Sequence, residues 1–340
     1  MTILTENILG LVLPHDFGTR CLLVAFALGL DAFFGEPPWL WRHLPHPVVL
    51  FGRAISIMEK SGNRRGMRGK KRRLFGSLGM IALILLAVSV GLGIMTLGGV
   101  GGKMITLPVE ALLVAILLAG RSLDEHVRAV AMALKTGDLT ASRQAVSMIV
   151  GRNPDRLDEH AIARASIETT AENLSDGVIA PAVFYLAFGL PGILAYKMIN
   201  TADSMIGYKS ARYFAFGWGA ARIDDIANLI PARLTGLLLS LASPGHLSKA
   251  FSVMREDARD HRSPNAGWPE AAMAAVLGLS LAGPRLYGVR MSTDRSINAK
   301  ARREASADDI LSGLRVMWRA IALFALIALA AGITLSLNPS

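Results

Sequence analysis

From Leu74 to Gly102 the chain runs for 29 residues without one charged side chain. As a helix that run is about 43 Å long at ~1.5 Å per residue, more than the ~30 Å hydrocarbon core of a bilayer. A segment of this kind has few places to go except through a membrane. A second uncharged run, residues 320 to 340, follows Trp318 and Arg319, which stand where interfacial anchors stand. The composition agrees, with 52% hydrophobic and 18% charged residues and a mean hydropathy of +0.42. Only helices and closed barrels satisfy their backbone in lipid, and no strand alternation of any length occurs. The expected fold is therefore all-α, a polytopic integral membrane protein.

The pattern predicts about four spans, with six as the alternative, in one membrane-embedded domain over residues 1–340: about 19–35, 75–98, 104–119 and 316–337. Between Gly35 and Pro47 three proline-led breaks rule out a helix, so an ordered loop is expected there. Eight of the fourteen residues from Lys60 to Arg73 are basic and none is acidic. Beside a strong hydrophobic span this reads as a cytoplasmic loop under the positive-inside rule. Without interleaved aromatic residues it does not read as a nucleic-acid surface, so no nucleic-acid partner is expected. The basic stretch 284–315 is expected on the same side, which makes the number of crossings even.

From Gly120 onward amphipathic helices are expected, one beginning at Arg121 and another opened by Asn153 as N-cap and Pro154 as first helical residue. Residues 177–196 form twenty uncharged positions interrupted by Pro181 and Pro191. They predict a broken or re-entrant element buried within protein. Residues 234–243 and 271–283 are apolar but short for a span. The single cysteine, Cys21, excludes a disulfide within the chain or a multi-cysteine zinc site, and no removable signal peptide is expected from Met1–Asn7. Neither a P-loop nor a dinucleotide fingerprint is present.

Function is expected between Gly151 and Gly236, where polar groups crowd an otherwise apolar chain at a free-energy cost unless they pair with each other or a ligand. Glu168, Glu172 and Asp176 recur at i, i+4 and i+8, with Arg164 one turn earlier, so a continuous helix puts them on one face. Asp203, Asp224 and Asp225 follow. Hard oxygen donors without thiolates suit Mg²⁺ bound jointly by carboxylates and phosphates, so Glu168, Glu172, Asp176 and Asp203 are the candidate Mg²⁺ ligands. The amides Asn173, Asn200 and Asn228 and the cations Lys197, Lys209, Arg222 and Arg233 stand near these acids, as a phosphate-handling site would require. His43 and His46 sit among prolines, where loop hydrogen bonding is the expected role.

These same residues resemble the adenosylcobinamide-phosphate synthases, the CobD/CbiB family of cobalamin biosynthesis. The matching stretches are Asp31 with Gly35-Glu36-Pro37 and His46-Pro47-Val48; Ser122 to His126; Val150-Gly151-Arg152; Arg164 to Asn173; and Asp176 to Pro181. They continue through Tyr196-Lys197, Asn200-Thr201 and Asp203-Ser204-Met205, Ala221 to Asp225, Asn228 and Pro231 to Leu234, and Ser263 to Ala271. They keep family order over about 31–290, departing at Asn153-Pro154 and Ala202. The resemblance implies a multi-pass enzyme of a bacterial inner membrane with a cytoplasm-facing polar site in a catalytic region of about 120–290. It implies an ATP- and Mg²⁺-dependent acid–amine ligase joining a propionate of adenosylcobyric acid to aminopropanol or aminopropanol phosphate.

On that basis Glu168, Glu172, Asp224, Asp225 and Lys209 are the expected reaction residues, with Asp224 or Asp225 taking the amine proton. Asn173, Lys197, Asn200, Ser204, Arg222, Asn228, Arg233 and Asn265 are expected to bind substrate or ATP, and Trp39 and His46 to wall a large planar ligand. The expected partners are the corrinoid, the amine and membrane lipid, with room for a homo-oligomer or contact with other enzymes of the pathway. Two rival classes predict different sequences. A transporter predicts an inverted repeat, which is absent; a non-catalytic sensor of the AmpE-like type predicts loss of the acid and amide clusters, which are intact.

Overall fold

The computed structural model describes residues 15–36, 41–64, 66–100, 102–151, 154–284, 286–287, 290–291 and 293–338. Its elements are almost all helical. In chain order they are α1 Phe17–Phe34, α2 Pro47–Gly62, α3 Gly69–Val100, α4 Lys103–Leu117, α5 Gly120–Lys135, α6 Leu139–Ser147, α7 Glu159–Leu174, α8 Ala180–Ile206, α9 Trp218–Ala227, α10 Leu229–Leu241, α11 Leu247–Asp257, α12 Gly267–Leu277 and α13 Ala307–Leu337. Four two-residue strands pair antiparallel, β1 Leu281–Ala282 with β4 Ser296–Ile297 and β2 Leu286–Tyr287 with β3 Arg290–Met291. The protein is an all-α polytopic membrane protein.

Five helical stretches are long and apolar enough to cross a membrane: Phe17–Phe34, Gly69–Gly98, Met104–Lys135, Glu159–Ile206 and Ala307–Leu337. Four of them coincide with the expected spans. The fifth contains the proline-interrupted run 177–196, and 72% of its apolar window is buried inside the protein, against 28% for Gly69–Gly98 and for Ala307–Leu337. Its interruption lies where the prolines suggested. Gly189 has φ 65° and ψ −155°, a conformation a side chain resists, and Pro191 follows it inside α8. The short apolar helices α10 and α12 bury most of their residues within the protein.

Residue contacts divide the chain into two compact units. The first is Met1–Leu118, Ala180–Ala227 and Ala325–Ser340; the second is Ala119–Ile179 and Asn228–Phe324. In the first, α8 packs along α3 and also meets α1, α2 and α9, while α1 packs on α4. Asp16 caps α1 by accepting the Thr19 N–H at 2.9 Å. Its core includes the fully buried Val24, Met80, Tyr185 and Tyr196, and Cys21 is buried with them.

In the second unit α12 is the central element, packed by α10, α11 and α7, and α5 pairs with α6 and α7. The helix expected from Asn153-Pro154 starts later than its sequence suggests. Asn153 lies outside the described residues, Pro154 sits in a turn that accepts the Leu157 N–H at 2.9 Å, and the cap is Asp158, which accepts the Ala161 N–H at 2.7 Å. A carboxylate three residues before a free amide outcompetes the proline signal. Trp318, read as an interfacial anchor, is half-buried and donates its indole N–H to Asp124 at 2.9 Å, alongside the Arg128 fork at 2.9 and 2.8 Å.

Candidate active site

The expected acid face of α7 is only partly realised. Glu168 is buried, Glu172 and Asn173 are exposed, and Arg164 is half-buried, donating to the Arg303 carbonyl at 2.6 Å. The α-helix ends at Leu174 and a π-helical turn, Ser175–Ile179, follows. The half-buried Asp176 lies in this turn, beyond the end of the α-helix that carries Glu168 and Glu172. The Glu168 carboxylate reaches far along the chain, its Oε1 accepting the Ala282 N–H at 2.7 Å, 114 positions away. Ala282 has φ 54°, unusual for a residue with a side chain, so the carboxylate anchors a strained corner of β1.

Also in the second unit, Asn228 and Asn265 are buried. Arg233 is exposed at its edge, donates to the Leu229 carbonyl at 2.7 Å and lies over the Trp268 ring at 4.5 Å. Burial and the neighbouring Arg259 charge pull the Arg233 guanidinium below its ordinary range. His261 and Glu270, both buried, stand 3.7 Å apart at the entry to α12. Sequence reasoning did not single out His261, although Glu270 lies in a stretch quoted for the family resemblance.

In the first unit a second set gathers. Asp225 is half-buried and bonded to Arg222 Nη1 at 2.9 Å, three residues earlier on α9. Lys209 adds an attractive charge to Asp225, and Asp203 adds a like charge from the end of α8. Burial pushes the Asp225 carboxyl up from its ordinary value, and Arg222 and Lys209 oppose that push. Asp224 is buried beside it. Lys197 is buried, Asn200 half-buried and Ser204 exposed along the same final turns of α8.

His46 caps α2: its Nδ1 accepts the Val48 N–H at 3.2 Å, and its ring meets Trp41 edge-on with centroids 4.5 Å apart. Burial pulls its pKa down, while Glu36 opposes and Lys197 reinforces the shift. Trp39, the other expected wall residue, lies outside the described residues.

A family model described as CobD/Cbib protein matches residues 24–317. The chain belongs to that family. Among curated relatives, "Cobalamin biosynthesis protein CobD" of Brucella anthropi is 50% identical over 322 residues, covering 92% of this chain and 97% of the relative. The protein of the same name from a Sinorhizobium species is 47% identical, covering 90% and 96%. That of Rhodobacter capsulatus is 46% identical, covering 88% and 93%. No solved structure matches.

Several of the CobD/CbiB stretches fall at helix ends and turns, among them the π turn after α7, the end of α8 and the entry to α12, while Arg164 to Asn173 forms the body of α7. Among the described residues no group of three or more His, Cys, Asp or Glu side chains gathers as a metal site built from protein alone would need. Mg²⁺ asks for less, one or two carboxylates plus phosphate oxygens. Asp203 and Asp225, with Lys209 and Arg222 beside them, offer that donor chemistry within one unit. The residues of the first unit fit a metal–phosphate ligand.

Proposed function

We propose that this protein is an adenosylcobinamide-phosphate synthase of cobalamin biosynthesis. It would join a propionate carboxylate of adenosylcobyric acid to aminopropanol or its O-phosphate at the expense of ATP. The observation that carries this reading is the grouping of Asp203, Asp225, Arg222 and Lys209 inside a chain whose family match runs from residue 24 to 317.

A carboxylate is a poor acyl donor, so the reading takes it through an acyl phosphate. A carboxylate oxygen attacks the γ-phosphorus of ATP, the bond to the β-phosphate oxygen breaks, and ADP leaves. The amine nitrogen then attacks the acyl carbon, the carbon–oxygen bond to phosphate breaks, and the amide and inorganic phosphate separate. The amine proton goes to a carboxylate, for which Asp225 is suited because burial raises its proton affinity. Arg222 offsets the charge on the transferred group, and Lys209 binds the ATP phosphates. Asp203 would hold Mg²⁺ together with the phosphates, and the ion would supply further charge neutralisation.

Contacts in the first unit support a cytoplasm-facing site. Arg72 of the basic run donates to the carbonyl of Arg212, and Arg73 lies over the Trp218 ring at 3.4 Å. These contacts put residues flanking Lys209 beside the basic run, and the positive-inside rule favours the cytoplasm for such a run. ATP is available there.

The test is direct. Purified protein in detergent receives adenosylcobyric acid, ATP, Mg²⁺ and each amine in turn, and corrinoid and nucleotide products are followed. Amidated corrinoid with equimolar ADP is the expected result. ATP hydrolysis or corrinoid binding without amide formation with either amine would defeat the reading.

A further inference from the structure

Residues 207–217 form a strap between α8 and α9, and no helix of eight residues or more supports it. Its own backbone hydrogen bonds are those of short turns, among them the Phe214 N–H to Ser210 O at 2.8 Å and the Gly217 N–H to Tyr213 O at 2.7 Å. Lys209 is exposed near its start, and Phe216 near its end is fully buried. The Phe216 carbonyl lies where a Cβ on Gly76 of α3 would come within 1.9 Å, so that end of the strap is pressed onto α3. The other end needs a different anchor.

Glu59, the last acid before the basic run, supplies it. Glu59 is 6% exposed and takes a fork from Arg212, Nε to Oε1 at 3.0 Å and Nη2 to Oε2 at 2.9 Å. Asn63 bridges the two partners, donating to Glu59 Oε1 at 2.9 Å and to the Arg212 carbonyl at 3.2 Å. Arg72 closes the ring, donating to Asn63 Oδ1 at 2.8 Å and also to the Arg212 carbonyl. Side chains from α2, its C-terminal end and the start of α3 thus converge on one strap residue, three positions from Lys209. The Arg212 fork holds the Glu59 carboxyl below its usual range, with Asn63 assisting against burial.

We infer that Glu59 is a positioning residue for the ATP-binding step: through Arg212 it holds the strap so that Lys209 stays beside Asp225. The inference rests on the proposed function for its kinetic arm and on geometry alone for its structural arm. Because Phe216 anchors the far end independently, losing Glu59 frees the strap's first half without dissolving the fold. Lys209 then samples positions away from the phosphates, which weakens nucleotide binding more than it slows a complex once formed.

The experiment compares full-length wild type, Glu59→Ala, Glu59→Asp and Arg212→Ala in detergent by two readouts. In Glu59→Ala, hydrogen exchange of the 207–217 amides is expected to rise about tenfold while α3 and α8 exchange as before. Its KM for ATP is expected to rise about tenfold with kcat within about twofold. Glu59→Asp should recover part of both effects, and Arg212→Ala, at an exposed side chain, should reproduce them if Glu59→Ala folds poorly. Unchanged strap exchange in both alanine variants overturns the inference, and so does a loosened strap with unchanged KM. Wild type lacking ATP-dependent amide formation defeats the functional reading instead, and strap exchange still decides whether Glu59 is the anchor.

Discussion

Two polar regions of the first unit treat their carboxylates in opposite ways. In α4, Glu110 is 3% exposed, and both of its oxygens are engaged: Tyr185 Oη donates to Oε1 at 2.8 Å, and His15 Nε2 stands 2.9 Å from Oε2. Those partners come from elements 75 and 95 positions away, and both are themselves buried. At the basic-loop end, Asp225 shares its surroundings with another acid, Asp203, and with two cations open to water, Arg222 and Lys209. The first arrangement closes on itself and stabilises packing between helices. The second sets like charges near each other and leaves cations facing water, an arrangement that costs stability and is common at functional sites.

The largest effect expected from this contrast is on the closed cluster. Glu110→Ala leaves the Tyr185 hydroxyl and the His15 ring buried without their acceptor, a loss of about 2–5 kcal/mol. Thermal unfolding in detergent, followed by circular dichroism, reads it. Activity per folded molecule should stay at the wild-type level. A melting temperature equal to wild type would show that the cluster relaxes freely and would break the distinction.

The open cluster should respond the other way. Lys209→Ala removes an exposed side chain, so unfolding should be unaffected, while kcat/KM for ATP falls by about 10²-fold, as for loss of one charge-stabilising donor. Steady-state kinetics with ATP as the varied substrate measures it. Wild-type kcat/KM in this variant would remove Lys209 from the site.

Much of the fold could be read from the chain because its governing interactions are local and repetitive. The uncharged run that fills most of α3 has one stable environment, and the uncharged run 177–196, broken by prolines, supplies the π turn's end and most of α8, interrupted at Gly189. The site was less accessible. Glu168 and Glu172 keep their i, i+4 spacing within α7, yet one is buried and the other exposed, and Asp176 lies in the π turn that follows Leu174. Glu168, read as a reaction residue, is engaged with Ala282, a partner no spacing rule reaches. Glu59, Glu110 and His261 carry no local signature, since what marks each is a partner 9 to 153 positions away. Asp225 and Arg222 could be named because they lie together on one helix turn.

The smallest expected effect is also the most discriminating, because it concerns stability at a position proposed to serve catalysis. Burial raises the Asp225 carboxyl above its ordinary range. For an acid raised on folding, the penalty is carried by the charged form. It is present at neutral pH and disappears as pH falls below the ordinary carboxylate range, where the folded and unfolded groups are both protonated. Asp225→Asn removes the charge, so it should stabilise the protein at neutral pH, and the gain should vanish in acid. Since Arg222 and Lys209 already offset part of the cost and the site is partly solvated, the gain should stay under about 1 kcal/mol. Melting temperatures of wild type and Asp225→Asn across about pH 4–8, a range that brackets a raised carboxylate, read this difference. Turnover should fall in the same variant, since a carboxamide cannot take the amine proton. A variant less stable than wild type at neutral pH would place Asp225 with Glu110, as a carboxyl group whose bonds the fold requires.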